Sequence, residues 1–218
     1  GFVDDGNELV ENDIFMMDIA GVNRDLLGSD IEAIREILDS VNRSDLQAIP
    51  KSFKAIADVR VITMYGNDLR VVPECINRLT GCRDLDLGHC KLNRDDSFPD
   101  TLWQLTGLEK LNLCDNNQTP IPSQIGQLSS LTFLNLGYNK LVSLPDEIYQ
   151  LTNLTVLYLY NNKLESILEE IGNLTKLTLL GLATNQLKKL PKAIGKLINL
   201  QEAEDTYDNF GGLRISGN

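Results

Sequence analysis

Hydrophobic and polar positions recur along most of the chain in a pattern that favours short strands. In "LTNLTVLYLYNNKL", residues 151–164, the central "VLYLY" is an unbroken run of strand-forming residues and lacks the three- and four-residue spacing of an amphipathic helix. Alternate residues of a strand point to opposite faces, so Leu157 and Leu159 are buried together only if Tyr158 and Tyr160 point outward. The stretch therefore predicts a strand with a leucine face and a tyrosine face.

This stretch is one copy of an internal repeat. The motif L-x-x-L-x-L-x-x-N-x-L starts at 23-residue intervals (131 − 108), with one interval of 26 (108 − 82). Its seven starts are Val59, Cys82, Leu108, Leu131, Leu154, Leu177 and Leu200. Between the cores lies P-x-x-I-x-x-L-x-x-L, as in "PDEIYQLTNL", whose three-residue spacing predicts short helical or 3-10 turns. One repeat cannot bury its own leucines, so successive repeats are expected to stack around one core with their strands in a parallel sheet.

Asparagine occupies the ninth core position, where the chain turns away from the strand. A buried turn leaves backbone groups without partners, and a side-chain amide supplies both donors and an acceptor. We therefore assign a structural role to these asparagines, with Cys90 in the same slot of its repeat. They are Asn67, Asn116, Asn139, Asn162 and Asn185.

The repeated motif resembles that of the leucine-rich repeat family. The phrase "LPDEIYQLTNLTVLYLYNNKL" is similar to the intracellular Ras-related group and to bacterial leucine-rich repeat proteins that interact with host cells. The resemblance implies an α/β fold: a right-handed, horseshoe-shaped solenoid with a concave parallel β-sheet and short helical or 3-10 turns on the convex side. We expect the solenoid over residues 46–210 and a C-terminal tail over 211–218.

Residues 1–45 are expected to form a helical N-terminal cap. In "GSDIEAIREILDSV", Ser29 and Glu32 make a capping box ahead of an apolar helical face, which would cover the open end of the first repeat. The upstream "NDIFMMDIAGVNRDLL" is too short and too charged to cross a membrane, and it lacks the basic start of a signal peptide. It is interpreted as a second part of the cap, so no membrane insertion is expected.

Charge and cysteine content narrow the partners and the compartment. The net charge of −11 and the pI of about 4.5 argue against binding to nucleic acid or to anionic membranes. The four cysteines all lie inside repeats, and the flanking cysteine pairs of extracellular relatives are missing, which favours a reducing compartment or a bacterial origin. We therefore expect a monomer that is cytoplasmic or, if bacterial, secreted or delivered.

The outward positions of the strands predict a binding site for a protein partner, because the family typically uses its concave surface for this purpose. The aromatic and apolar residues proposed for the centre of the contact are Phe133, Tyr138, Val156, Tyr158, Tyr160 and Leu179. The small residues Gly137, Gly181 and Ala183 are expected to leave room for the partner's side chains. Acidic residues proposed to steer a basic edge of the partner are Asp84, Asp86 and Asp115. A signalling scaffold, a bacterial host-interaction protein and the recognition domain of a larger protein all fit this prediction.

A thiol enzyme is the alternative from another class. Cys114 and His89 are expected on adjacent strands of the concave surface, where a thiol beside an imidazole could form a nucleophile pair. The sequence contains no nucleophile elbow, phosphate loop or metal-ligand cluster, and an open sheet provides no pocket that excludes water. The three aspartates could also hold a cation, although a charge cluster is more often a solvated face. We therefore expect a binding protein with no enzymatic activity and no cofactor.

Overall fold

The computed structural model describes residues 59–66, 69–93, 97–200 and 212–218, together with three short strands nearer the N terminus. These are β1 (Val3–Asp4), β2 (Asn7–Glu8) and β3 (Met17–Ile19). The strands of the repeats are β4 (Val59–Thr63), β5 (Asp84–Asp86), β6 (Lys110–Asn112), β7 (Phe133–Asn135), β8 (Val156–Tyr158), β9 (Leu179–Gly181) and β10 (Gly212–Arg214).

Strands β4 to β10 form one parallel sheet in the order of the sequence. The register joins equivalent residues of successive repeats, so Phe133 is level with Val156 and Val156 is level with Leu179. The predicted right-handed parallel solenoid is therefore confirmed, and each column of side chains on its concave face follows one position of the sequence motif.

Short 3-10 helices form the convex side, as the sequence predicted. They are Glu74–Arg78, Asp100–Gln104, Ser123–Gln127, Asp146–Gln150, Glu169–Asn173 and Lys192–Lys196. Proline precedes five of them, with φ between −62° and −70°, the value that its ring fixes. At the sixth helix Leu168 takes this place with a φ of −76°.

The core lies between the sheet and these helices and runs without a break through the described repeats. Leu157 and Leu159 are fully buried, whereas Tyr158 and Tyr160 are partly exposed, so the predicted inward and outward faces are confirmed. Burying one leucine side chain stabilises the fold by about 1.5–3 kcal/mol relative to leaving it in water. Stacking is thus what makes each short strand stable.

The asparagine at the ninth core position bonds the turns of two neighbouring repeats together. The Asn139 amide group donates to the carbonyls of Leu113 and Leu136 at 3.0 and 3.1 Å, and its oxygen accepts from the Gln118 N–H at 2.9 Å. Asn116, Asn162 and Asn185 bond in the same way, which confirms their structural role. In the same slot Cys90 donates its thiol to the Met64 carbonyl at 2.9 Å. Asn67 lies outside the described residues.

Both ends of the solenoid have strand pairings that the repeat motif did not predict. The expected cap helix around Ser29 lies outside the described residues, but β3 pairs antiparallel with β4 and covers that edge of the sheet. At the other end, β10 comes from the stretch assigned to a tail, and Asn218 donates to the Leu182 carbonyl at 2.9 Å as the ninth-position asparagine. The repeat slot "LRISGN" therefore follows Asn185 by 33 residues (218 − 185) rather than 23. Among the described residues, no helix has the length and apolar character to span a bilayer.

Candidate partner-binding face

The concave face consists of the third, fifth, seventh and eighth positions of each core. Hydrogen bonds between side chains and the backbone hold the turns that follow its strands. The fifth-position side chains Asp86, Asn112 and Asn135 each accept a hydrogen bond from the backbone N–H two residues later, at 2.9 to 3.1 Å. Such bonds close a tight turn as each strand ends. Asn135 is buried although it belongs to the concave face.

The residue at the eighth core position has a left-handed backbone conformation in every described repeat. The φ angles are 53° to 55° at the non-glycine residues and larger at the two glycines. These residues are Gly66, His89, Asp115, Tyr138, Asn161, Thr184 and Gly217. This conformation is costly for residues with a Cβ and persists only where the surrounding structure holds it in place. The repeat therefore presents each eighth-position side chain from a fixed point at the edge of the concave face.

Four of the predicted contact residues form one aromatic cluster on β7 and β8 and the turns that follow. Its ring centroids lie 5.8 Å apart for Phe133 and Tyr158, 5.5 Å for Tyr158 and Tyr160, and 5.3 Å for Tyr138 and Tyr160. All three pairs are edge-to-face, an arrangement that contributes about 0.5–1.5 kcal/mol per pair beyond buried area. Tyr138 is 55% exposed, so the cluster presents ring surface to the solvent.

The glycines beside this cluster do not leave open space, which corrects the sequence-based expectation. A Cβ on Gly137 would lie 2.7 Å from Cε2 of Tyr160, and one on Gly181 would lie 3.1 Å from Cδ1 of Tyr158. Each tyrosine ring lies over one of these glycines. The ring fits there because glycine has no side chain to fill that volume. Gly137 and Gly181 therefore hold the rings close to the sheet and form no pockets for a partner.

Leu179 was expected to be an exposed contact residue, and this expectation is wrong. Its side chain is 6% exposed, whereas Val156 at the same position of the preceding strand is partly exposed. Leu179 lies between Val156 and Gly212 in the sheet, and packing around it leaves almost none of its surface to a partner. The accessible apolar surface is therefore concentrated on β7 and β8.

The three aspartates are not one open acidic patch. Asp84 pairs with Lys110 at 3.4 Å, and Asp115 pairs with Nδ1 of His89 at 2.5 Å. Asp86 accepts from the Asn112 amide at 2.8 Å, and burial raises the pKa of its carboxyl group. Within the described part of the chain, no group of three or more His, Cys, Asp or Glu side chains could hold a metal ion.

The thiol-enzyme alternative requires a thiolate at Cys114, and the surroundings oppose one. Burial raises the pKa of the Cys114 thiol, and the nearby carboxylates of Asp86 and Asp115 raise it further. Reactive cysteines need the opposite, an electropositive environment that lowers the pKa. The imidazole of His89 is hydrogen-bonded to the carboxylate of Asp115. It also stacks on the ring of Tyr65, with the ring centroids 6.1 Å apart. The raised pKa of Cys114 therefore disfavours the thiolate that this alternative requires.

Tyr65 is a concave-face residue that the predicted site did not include. It occupies the same seventh core position as Tyr160, and its ring lies over Gly88 as the ring of Tyr160 lies over Gly137. The signal was available in the sequence, since both repeats place tyrosine at this position with glycine at the same position of an adjacent repeat.

The family model for a leucine-rich repeat region matches residues 58–167. This match covers half of the chain, which therefore belongs to the leucine-rich repeat proteins. No curated protein matches the chain.

Solved structures of both bacterial and plant proteins resemble the chain. A leucine-rich repeat protein of Leptospira interrogans is 37% identical with a TM-score of 0.58, over 68% of this chain and 36% of that one. The plant peptide hormone receptor RGFR1, in complex with RGF2, is 36% identical with a TM-score of 0.52, over 66% of this chain and 22% of the receptor. The ectodomain of the Arabidopsis thaliana receptor kinase GASSHO1/SCHENGEN3, in complex with CASPARIAN STRIP INTEGRITY FACTOR 2, is 28% identical with a TM-score of 0.54, over 66% of this chain and 18% of that one. The chain spans about a third or less of these proteins.

Proposed function

We propose that the chain is a recognition module that binds a protein or peptide partner on its concave face and catalyses no reaction. The observation that carries the proposal is the aromatic cluster of Phe133, Tyr158, Tyr160 and Tyr138, in which each ring contacts the next across adjacent repeats. Aromatic side chains bury a large area at little entropic cost, and they are enriched among the residues that dominate binding energy.

Solved structures that resemble the chain support a role in partner binding. Two of the structures that resemble the chain are plant receptors in complex with RGF2 and with CASPARIAN STRIP INTEGRITY FACTOR 2. A role as a signalling scaffold, as a bacterial host-interaction protein or as the recognition part of a larger protein is compatible with the same face. The partial coverage of longer proteins favours the recognition part.

The test is a kinetic measurement with a partner that has been captured from a lysate and identified. Changing Phe133→Ala together with Tyr158→Ala removes two contacting rings and leaves the leucine core intact. We expect the dissociation rate to rise at least about tenfold, since losing a buried aromatic anchor typically costs about 2 kcal/mol or more.

The matched control is Ile198→Ala, which removes an apolar side chain that is 84% exposed and lies outside the aromatic cluster. Circular dichroism of both variants should equal that of the parent. A partner that dissociates equally slowly from the double variant and from the parent would place the binding site elsewhere on the solenoid.

A further inference from the structure

Two tyrosines on the concave face lean toward each other across four strand spacings. Tyr65 follows β4 and lies over Gly88, whereas Tyr160 follows β8 and lies over Gly137. A Cβ at these glycines would be 2.8 Å from the ring of Tyr65 and 2.7 Å from the ring of Tyr160. Both rings therefore point toward the middle repeat, whose seventh core position is Cys114.

The inward lean of the two rings narrows the space between Tyr65 and Tyr160. Adjacent strands lie about 4.8 Å apart, so four spacings put the two tyrosine Cα atoms about 19 Å from each other. The inward-leaning rings narrow this interval to a slot above Cys114, and the Cys114 thiol contributes to raising the pKa of both tyrosines. We call this space the tyrosine slot; its walls are Tyr65 and Tyr160 and its floor is Cys114.

Carboxylates border the tyrosine slot. Asp86 accepts its hydrogen bonds from Gly88 and Asn112 at Oδ1, so among its described contacts the second oxygen keeps its acceptor capacity. Asp115 pairs with His89 through Oδ2. The negative charge of both aspartates reaches the slot, because they add to the effect of burial in raising the pKa of the Tyr65 hydroxyl.

The lysine of this region does not neutralise the slot. Lys110 lies at the third core position of the middle strand, and its ammonium pairs with Asp84 rather than with the two aspartates beside Tyr65. The whole chain carries a net charge of −11, so the long-range field has the same sign as the slot. An anionic group would be repelled, and an apolar group would desolvate two carboxylates without compensation.

We propose that the tyrosine slot binds a cationic side chain, arginine or lysine, of an extended segment of the partner. This inference rests on the proposed function, since the same partner would cover the neighbouring aromatic cluster. The cation would meet the rings of Tyr65 and Tyr160 and form charge-assisted hydrogen bonds to Asp86 and Asp115. The aromatic cluster then contributes affinity, and the slot selects partners with a basic residue.

The experiment selects displayed random dodecapeptides on the immobilised chain and measures the enriched peptides by fluorescence anisotropy at low salt. We expect the enriched sequences to share one arginine or lysine, and its replacement by alanine to weaken binding about tenfold, as for one lost charge-assisted contact. The double variant Asp86→Asn, Asp115→Asn should bind the enriched peptide about tenfold more weakly than the unchanged chain does. Its affinity for the peptide in which alanine replaces the basic residue should equal that of the unchanged chain.

These variants are matched to the fold. Asparagine already occupies the position of Asp86 in β6 and β7, as Asn112 and Asn135, and the position of Asp115 after β8, as Asn161. The control is Glu170→Gln, which removes one negative charge at an exposed position on the convex side and should not change binding.

The outcomes separate this inference from the proposed function. The slot would be contradicted if the enriched peptides need Phe133 and Tyr158 but lack a basic residue. It would also be contradicted if their affinity does not change in the double aspartate variant. Either result would still support binding on the aromatic cluster. Peptides that bind the Phe133→Ala, Tyr158→Ala variant as tightly as the parent but depend on the aspartates would support the slot and contradict the aromatic cluster. A selection that enriches no peptide above the background of an empty surface counts against both.

Discussion

At the residue scale, alternation along each strand decides which side chains build the core and which meet a partner. Leu157 and Leu159 are fully buried, and the tyrosines beside them are only partly buried. A buried leucine loses its transfer free energy and leaves a cavity when it is shortened, whereas a surface tyrosine loses chiefly ring contacts.

Leu157→Ala should therefore lower the free energy of unfolding by about 2–5 kcal/mol, as for other leucines in packed cores. Tyr158→Ala should cost less, about 1–3 kcal/mol, because it breaks two edge-to-face contacts without opening the core. Urea unfolding of both variants measures the difference. Equal losses would contradict the assignment of inner and outer faces.

Gln118 is a polar residue at an eleventh core position, where the neighbouring repeats carry leucine. It is 4% exposed, and its Nε2 group has no hydrogen-bond partner among the described residues. Gln118→Leu should raise the free energy of unfolding by about 1–3 kcal/mol, the cost of a buried donor left unpaired. Gln127→Leu, at an exposed site, is the control and should change little. A destabilised Gln118→Leu variant would show that the amide is bonded in solution.

At the element scale, the convex 3-10 helices show how one repeat departs from the motif without losing its geometry. Leu168 replaces the proline that precedes the other helices, and its N–H donates to the hydroxyl of Tyr149 at 3.3 Å. Tyr149 itself replaces the glycine of "SQIGQ", "EEIGN" and "KAIGK". Proline has no N–H and could not make this hydrogen bond. The two departures are therefore linked, because Leu168 supplies the N–H that donates to the hydroxyl of the buried Tyr149.

A double-mutant cycle tests this link. Leu168→Pro in the Tyr149→Phe background should stabilise the fold by about 0.4–1 kcal/mol, because the backbone already has a φ that proline adopts. In the parent, that gain should be offset by the lost hydrogen bond, which contributes about 1 kcal/mol. Thermal unfolding of the four proteins gives the coupling, and a coupling of zero would mean that the two departures are independent.

At the scale of the whole molecule, the solenoid is a row of repeats in which each strand contacts only its neighbours. Its ends are therefore the places where a strand edge would face water, and β3 pairs with β4 at one of them. Exposed strand edges are templates for aggregation, which makes such a cover important for the isolated chain.

Removing residues 1–45, which include β3, should uncover the edge of β4 and cause aggregation or fraying of the first repeat. Size-exclusion chromatography and hydrogen exchange of the backbone amides near Ile62 measure these effects. The amides near Leu157 should keep their protection and serve as the internal control. A monodisperse truncated protein with unchanged melting would contradict a capping role for the N-terminal region.

The repeat motif by itself determined the fold, because the same spacing of leucine, asparagine and proline specifies the same local geometry each time. The parallel register, the inward position of Leu157 and the bonding of Asn139 all follow from residues within one or two repeats. The edge-strand pairing of β3 and the position of β10 did not follow, since they depend on contacts between segments without the regular spacing.

Only the tertiary structure decided the character of the concave face. The sequence places Tyr160 and Gly137 on neighbouring strands, but the direction in which the ring leans is set by the absence of a Cβ on the adjacent repeat. Likewise, the sequence counts Asp84 and Asp115 as free charges, whereas the structure pairs them with Lys110 and His89. Periodicity fixes the side of the sheet from which a residue projects; packing against neighbouring strands fixes what it can still bind.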